Sequence, residues 1–295
     1  MLRASPMSLV PTLAISFVTV LVLVSLTDAR AERLQFSGDR PRGPIVAVVG
    51  NAWQIFARGE IDVEAADRFK AFVRANHVPP RSSLYLNSPG GSLIGGINLG
   101  RAIRGAGIFT YIGAVGSRNC LAPDSCYWRE QPGQCYSVCA LAFLGGEYRF
   151  IVKGSAYGVH RFYFTSSKPS DADLAQVLSA SVIQYIRDME VDPSLFVEMT
   201  KASASDIILL SDMELRRLNV INDGKKKTTW TIESNSGTLY LKGERDTLHG
   251  VNKFMLVCVP DRRIMLHVIF DPEGNTVEEE DHSIFIDDKD IPIND

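Results

Sequence analysis

The stretch QCYSVCALAFLGG, residues 134–146, sets Ser137 between Cys135 and Cys139 at the head of an apolar run that closes on Gly145 and Gly146. A hydroxyl at the start of a buried helix has two ordinary uses. It caps the helix by accepting a backbone N–H, or it is a nucleophile, which needs a base to take its proton and fixed donors for the oxyanion. The helix start helps the second use, because its unpaired N–H groups and positive dipole end favour developing negative charge. Donors are on offer in LYLNSPGGSLIGG, which runs into Ser88-Pro89-Gly90-Gly91; consecutive glycines let backbone N–H groups face a ligand with no Cβ in the way. Alone, such a pair is equally a tight turn. The thiols of Cys135 and Cys139 are rival nucleophiles, ranked below Ser137 because an exported chain meets an oxidising compartment.

Export is the reading of the N-terminus. Arg3 is followed by no charge until Asp28, and then by Ala29-Arg30-Ala31: a basic start, an apolar centre and small residues at a cleavage point after Ala31. The uncharged stretch also matches the roughly 20 apolar residues that cross a bilayer, so an anchor in the inner membrane facing the periplasm is the alternative to a periplasmic or secreted protein. Removing residues 1–31 takes away Arg3, Asp28 and Arg30 and moves the formal charge from −3 to −4. A nucleic-acid partner is excluded by that balance, since phosphate binding needs basic excess.

Five cysteines, Cys120, Cys126, Cys135, Cys139 and Cys258, in an exported chain favour disulfides among the first four. The sequence does not choose among the three pairings. Zinc is the sharper reading, but CxxxxxC and CxxxC lack the close CxxC knuckles of a zinc site, so no metal is expected.

The elements that must position these groups alternate. A strand–turn–strand is read in GPIVAVVGNAWQIFARGEI, a helix in DVEAADRFKAFVRAN, a buried strand in SSLYLN, a helix in GINLGRAIRGAG, a strand in IFTYIGAVG, and a further helix from Ser137. Such alternation predicts a largely parallel sheet with helices on both faces. From Gly224 the character changes. The basic run GKKK reads as a solvated linker, and TTWTIES, GTLYLKGE, FMLVCVP, RIMLHVIF and SIFIDD, parted by turn residues, predict a small antiparallel sheet or sandwich with a stabilising or partner-binding role. The expected division is 1–31, 32–224 and 225–295.

Together, LNSPGGS, SVCALAFLGG and RFIVKGSAYGVH resemble the Clp-protease/crotonase superfamily, and within it the ClpP-like serine peptidases of an exported, periplasmic branch. The resemblance covers about residues 44–223. It implies a spiral of parallel strands and helices, with Ser137 as nucleophile, His160 as general base at the matching distance from Arg149, and the N–H groups of Gly91 and Val138 as oxyanion hole. For the third member it implies an acid in TKASASDIILLSDMELRRLNVIND: Asp206 is nearest, one position off the family spacing, and Asp212 is the alternative, although SDME reads better as a helix cap and first turn.

A departure from the family is the insertion SRNCLAPDSCYWREQPGQ, expected near the site entrance, either as a disulfide-tied lid or as a surface loop. The resemblance further implies a peptide or unfolded-protein substrate, a ring or trimer, and no cofactor. Without ATP outside the cytoplasm, only unfolded chains, short peptides or a dedicated partner could be cleaved. Acyl-CoA chemistry uses the same oxyanion arrangement but belongs to the cytoplasm. A catalytically inactive scaffold of the cell envelope is the second reading. The first expectation is a mature chain lacking residues 1–31, which intact-mass analysis checks; a retained Met1 in the membrane fraction would establish the anchor instead.

Overall fold

The computed structural model describes residues 32–40, 52–122, 125–162, 171–203, 205–259, 263–271, 283–286 and 289–292. The export signal falls outside the described residues. Among them, no helix is long and apolar enough to cross a membrane.

In chain order the first elements are β1 (Gln35–Asp39), β2 (Gln54–Arg58), α1 (Ala65–Ala75), β3 (Ser83–Asn87), α2 (Leu93–Gly105) and β4 (Phe109–Ile112). A hairpin of β5 (Ala114–Ala122) and β6 (Ser125–Gln131) follows, then β7 (Gln134–Tyr136), α3 (Val138–Phe143), β8 (Arg149–Ile151) and β9 (Ala156–Val159). The α/β part ends with α4 (Asp171–Asp188), α5 (Ser194–Lys201), β10 (Ile208–Leu209) and α6 (Asp212–Arg217). Its main sheet has the order β1-β2-β3-β4-β8, with β1 antiparallel to β2 and the other pairs parallel. A second sheet, β10-β9-β7, meets it through a bridge between Ser88 and Cys135. The protein is thus mixed α/β, with several sheets that are partly parallel.

Alternation along the strands sends Ile55, Ala57, Leu84, Leu86 and Ile112 into the core, with Phe69 of α1, Leu99 and Ile103 of α2, and Leu141 and Phe143 of α3. The opposite face differs from the expectation of helices on both sides. Phe56, Tyr85, Tyr111 and Phe150 stand side by side in register across β2, β3, β4 and β8, their rings 5.4, 4.7 and 4.7 Å apart. The inserted hairpin lies over this aromatic row: Trp128 meets Phe56 at 5.8 Å, and the Tyr85 hydroxyl donates to Glu130. Burial, then the Glu130 carboxylate, push the Tyr85 hydroxyl far above its ordinary pKa, so it stays a donor.

The five C-terminal apolar runs become strands as expected. β11 (Thr229–Asn235), β12 (Thr238–Thr247), β13 (Gly250–Val259) and β14 (Arg263–Asp271) form one antiparallel meander, and β15 (Ser283–Ile286) pairs with β16 (Lys289–Pro292). The meander is a single layer rather than a sandwich, so Trp230, Ile232 and Ile264 on one face stay exposed. The GKKK run is no free linker: Lys225 bridges to Thr247, and Lys226 reaches Glu147 at 2.5 Å and Asp246 at 3.6 Å. Unlike charges from both sides, which a one-dimensional reading does not see, hold it in place.

α3 has only six residues and is wholly buried, and the N–H groups of Leu144, Gly145 and Gly146 close its end on the carbonyls of Leu141, Ala142 and Phe143. Side chains from elsewhere add further donors. Tyr157 donates to Ala140 O, Tyr185 to Leu141 O and Thr110 to Phe143 O, at 3.2, 2.8 and 2.8 Å. The next three carbonyls go to two arginines: Arg104 donates to Leu144, Gly145 and Gly146, and Arg149 to Leu144 and Gly146. Arg149, fully buried, also donates to the carbonyls of Met189, Asn219 and Val220, tying the ends of α4 and α6 to α3. Burial, with the neighbouring charge of Arg104, pushes its guanidinium down to about 10, which still leaves it protonated at neutral pH.

Replacing that guanidinium strands the carbonyls of Asn219 and Val220 and removes one of two arginine donors from those of Leu144, Gly146 and Met189. Arg149→Met is expected to lower stability by about 3 kcal/mol or more, read as the shift in a urea melt. A change within about 0.5 kcal/mol, the range of surface substitutions, would contradict it.

Candidate active site

Three segments converge. The end of β3 leads into the turn Ser88-Pro89-Gly90-Gly91, β7 leads into Ser137 and α3, and β9 leads into His160. Parallel pairing of β7 with β9, and of Ser88 with Cys135, sets these strand ends beside one another. Ser137, His160, Gly91 and Val138 all line a cavity of about 190 Å³, whose remaining wall is Leu93, Leu141, Phe162 and Met199.

Ser137 occupies the N-cap position of α3 without capping it: its side chain accepts no N–H of the helix. Its backbone is at φ 57°, ψ −124°, a region costly for a residue with a Cβ. The contrast lies in the same chain. Ser92 and Ser211, at φ −74° and −70°, both cap, accepting from Gly95 and Glu214 at 3.3 Å each. Ser137 is turned instead towards the cavity, and its own N–H donates to Gly158 O at 2.9 Å.

The glycine turn supports it from the other side. A Cβ on Gly90 would stand 2.7 Å from Ser137 Cβ, and one on Gly91 would collide with Ile61 O. Both glycines have positive φ, 111° and 139°. Backbone bonds from Ile61 to Gly90 O and from Ser92 to Ile61 O, each 2.7 Å, pin the turn. Among the described residues, the N–H groups of Gly91 and Val138 have no acceptor in the chain, and both residues border the cavity.

His160 is partly exposed. Its Nδ1 lies 2.7 Å from Arg161 O, and because a carbonyl only accepts, Nδ1 carries the proton and donates. In the neutral imidazole Nε2 is then the nitrogen with a lone pair. No hydrogen bond joins His160 to Ser137 among the described residues; in unliganded sites such bonds are often open.

Asp206 is exposed and accepts a hydrogen bond from Ser203 rather than from His160. It stands in a turn before β10, its own N–H bonded to Ser203 O at 3.3 Å. Asp212 belongs to the helix start, as SDME suggests: Ser211 and Glu214 form a capping box, and Asp212 pairs with Arg216 at 3.7 Å.

No protein-family model and no curated protein matches the chain. The geometry must carry the argument.

Sequence reasoning missed the cavity wall of Leu93, Leu141, Phe162 and Met199, the carbonyl of Arg161, and the partnership of Arg104 with Arg149. Leu93 and Leu141 were visible as apolar positions flanking the two motifs; Met199 and the Arg161 carbonyl carry no sequence signal. None of the described residues of the hairpin lines the cavity.

Cys135 and Cys139, both fully buried, form a disulfide across Ser137. This fixes one pairing among the four candidates, and neither sulfur is then a thiolate for a metal or for attack. Cys120 is also disulfide-bonded and faces Cys126 in the hairpin register; the side chain of Cys126 lies outside the described residues. Cys258 is free and exposed. Disulfides take cysteines in pairs, so with Cys135–Cys139 joined and Cys120 bonded as well, thiol titration of the denatured, unreduced protein is expected to find one of the five cysteines reactive; two or more would contradict it.

Proposed function

We propose that the chain is an exported serine hydrolase of the ClpP-like kind, acting on peptide bonds, with Ser137 as nucleophile and His160 as base. The observation that carries this reading is Ser137 itself: a serine at a helix start that does not cap, held at positive φ and facing a cavity shared with a histidine. A serine kept merely as a cap would look like Ser92 or Ser211.

The roles follow from the atoms. In the neutral imidazole, the proton on Nδ1 that Arg161 O accepts leaves Nε2 to take the proton of Ser137 Oγ as it attacks a carbonyl carbon. The carbonyl oxygen becomes an oxyanion, for which the free N–H groups of Gly91 and Val138 are the donors. Imidazolium then protonates the leaving amine, and water repeats the sequence on the acyl-enzyme. Leu93, Leu141, Phe162 and Met199 offer the substrate an apolar wall. In this reading the site works as a dyad oriented by a backbone carbonyl, because Asp206 is engaged by Ser203. The spiral fold, the periplasmic location and assembly into an oligomer belong to the same proposal.

That engagement of Asp206 equally favours the second reading, an inactive scaffold of the envelope. A serine-directed fluorophosphonate separates the two. Labelling at Ser137 is expected, absent in Ser137→Ala, and about a hundredfold slower or worse in His160→Ala. Asp206→Asn should label at close to the wild-type rate; a drop as deep as that of His160→Ala would restore Asp206 as a triad member. A folded wild type that takes no label and cleaves no unfolded protein leaves the scaffold reading.

A further inference from the structure

The Cys135–Cys139 disulfide spans the one residue whose backbone is strained at the site. Cys135 is the middle residue of β7 and Cys139 the second residue of α3, so the bond closes a ring over Tyr136, Ser137 and Val138. Their Cα atoms are 5.1 Å apart. Residues four apart in a continuing strand would be separated by about 13 Å, so the bond is incompatible with β7 running on through Ser137. It holds the chain in a tight turn around the serine.

A disulfide that closes so short a loop is a poor global staple. The chain entropy it removes from the unfolded state grows with loop length, and three enclosed residues give close to the least available. Nor is it needed to fill space, since both sulfurs are fully buried among apolar neighbours and free cysteines pack as small apolar residues. Its effect is therefore local, on the backbone of Tyr136, Ser137 and Val138. Ser137 is the proposed nucleophile, and Val138 supplies one of the two free N–H groups.

We propose that this disulfide is a positioning device: it holds Ser137 at positive φ with its hydroxyl towards the cavity, and it holds the Val138 N–H in line with that of Gly91. Its catalytic consequence rests on the hydrolase reading; the conformational claim does not. Opening the bond takes a reductant such as a dithiol, which passes two electrons to the sulfurs, leaves two thiols on the protein and is itself oxidised to a cyclic disulfide. The reduced segment can then relax the serine towards an ordinary helix start, with Oγ accepting from the helix as Ser92 does.

The test compares oxidised wild type, dithiothreitol-reduced wild type, and Cys135→Ala/Cys139→Ala, which leaves the Cys120 disulfide in place. Amide exchange is measured in the 135–143 segment and, as the reference for global stability, in β12 and β13. Exchange at Ser137, whose N–H is bonded to Gly158 O, and at Ala140, bonded to Ser137 O, should rise about tenfold or more without the bond, while the reference strands stay unchanged. Fluorophosphonate labelling should slow about tenfold or more, with the pH midpoint of labelling kept because His160 is untouched, and reoxidation of the reduced wild type should restore it.

Unchanged exchange at Ser137 and Ala140 overturns the proposal whatever the probe does. So does labelling as fast in the double variant as in oxidised wild type. Exchange that rises equally in β12 and β13 also overturns it, by making the bond a global staple. Faster local exchange with no labelling in any form supports the conformational clamp and removes the hydrolase reading instead.

Discussion

The structure turns on a helix that is too short for its own backbone. α3 runs through the middle of the core, and with six residues it relies for its last carbonyls on the tight backbone bonds of Leu144, Gly145 and Gly146 and on side chains from elsewhere. A buried carbonyl without a partner is costly against a domain's small margin of stability. Tyr157, Tyr185 and Thr110 serve the body of the helix, and Arg104 and Arg149 serve its end. Burial pushes both tyrosine hydroxyls far up, so they remain protonated donors. These five side chains come from β9, α4, β4, α2 and β8, and satisfying one helix therefore fixes the relative placement of most of the α/β part.

The other end of that helix is where chemistry becomes available. A backbone held at its C-terminal end by two guanidinium groups cannot slide to relieve strain at its N-terminal end, which is where Ser137 takes a positive φ. Gly90 presses on the same residue from the neighbouring turn, and Cys135–Cys139 closes over it. Strain of this kind persists only when the surroundings over-determine it. Here carbonyl satisfaction, glycine contact and a covalent ring do so together.

Much of this order was legible in one dimension. The core strands and helices from Gln54 to Phe143 announce themselves by period, and so do the four strands after Gly224, because packing on one face imposes a repeat on the residues. Ser137, His160, Gly91 and Val138 were readable as a set because a recognisable order of motifs joins them, and the chain brings all four to one cavity. Features that depend on pairing between distant strands were not readable. The aromatic row of Phe56, Tyr85, Tyr111 and Phe150 exists only once register aligns four strands, and the inserted hairpin packs on it through Trp128. β1 was missed because QFSGD has one large apolar residue and a glycine, and it forms only as an edge beside β2. Asp206 was placed by counting along the chain, one position off the family spacing, and it stands in a turn before β10 where Ser203 engages it.

His160 shows what such an offset does to the proposed chemistry. Orientation of the imidazole survives, since Arg161 O holds Nδ1–H as a carboxylate would and leaves Nε2 free to accept. Charge does not survive the exchange. A carboxylate brings a full negative charge to the imidazolium that forms when Ser137 loses its proton, whereas a carbonyl brings only a dipole, and in a partly desolvated site that difference falls on the transition state rather than on binding. In the proposed dyad the imidazole is oriented but the driving force for proton transfer is weaker. The remaining barrier must then be lowered by groups that bear on the oxyanion, and these are the two free N–H groups of Gly91 and Val138. Their alignment depends on the turn and the disulfide-bridged elbow staying fixed, so the precision of the backbone around Ser137 matters more here than it would beside a charged third residue.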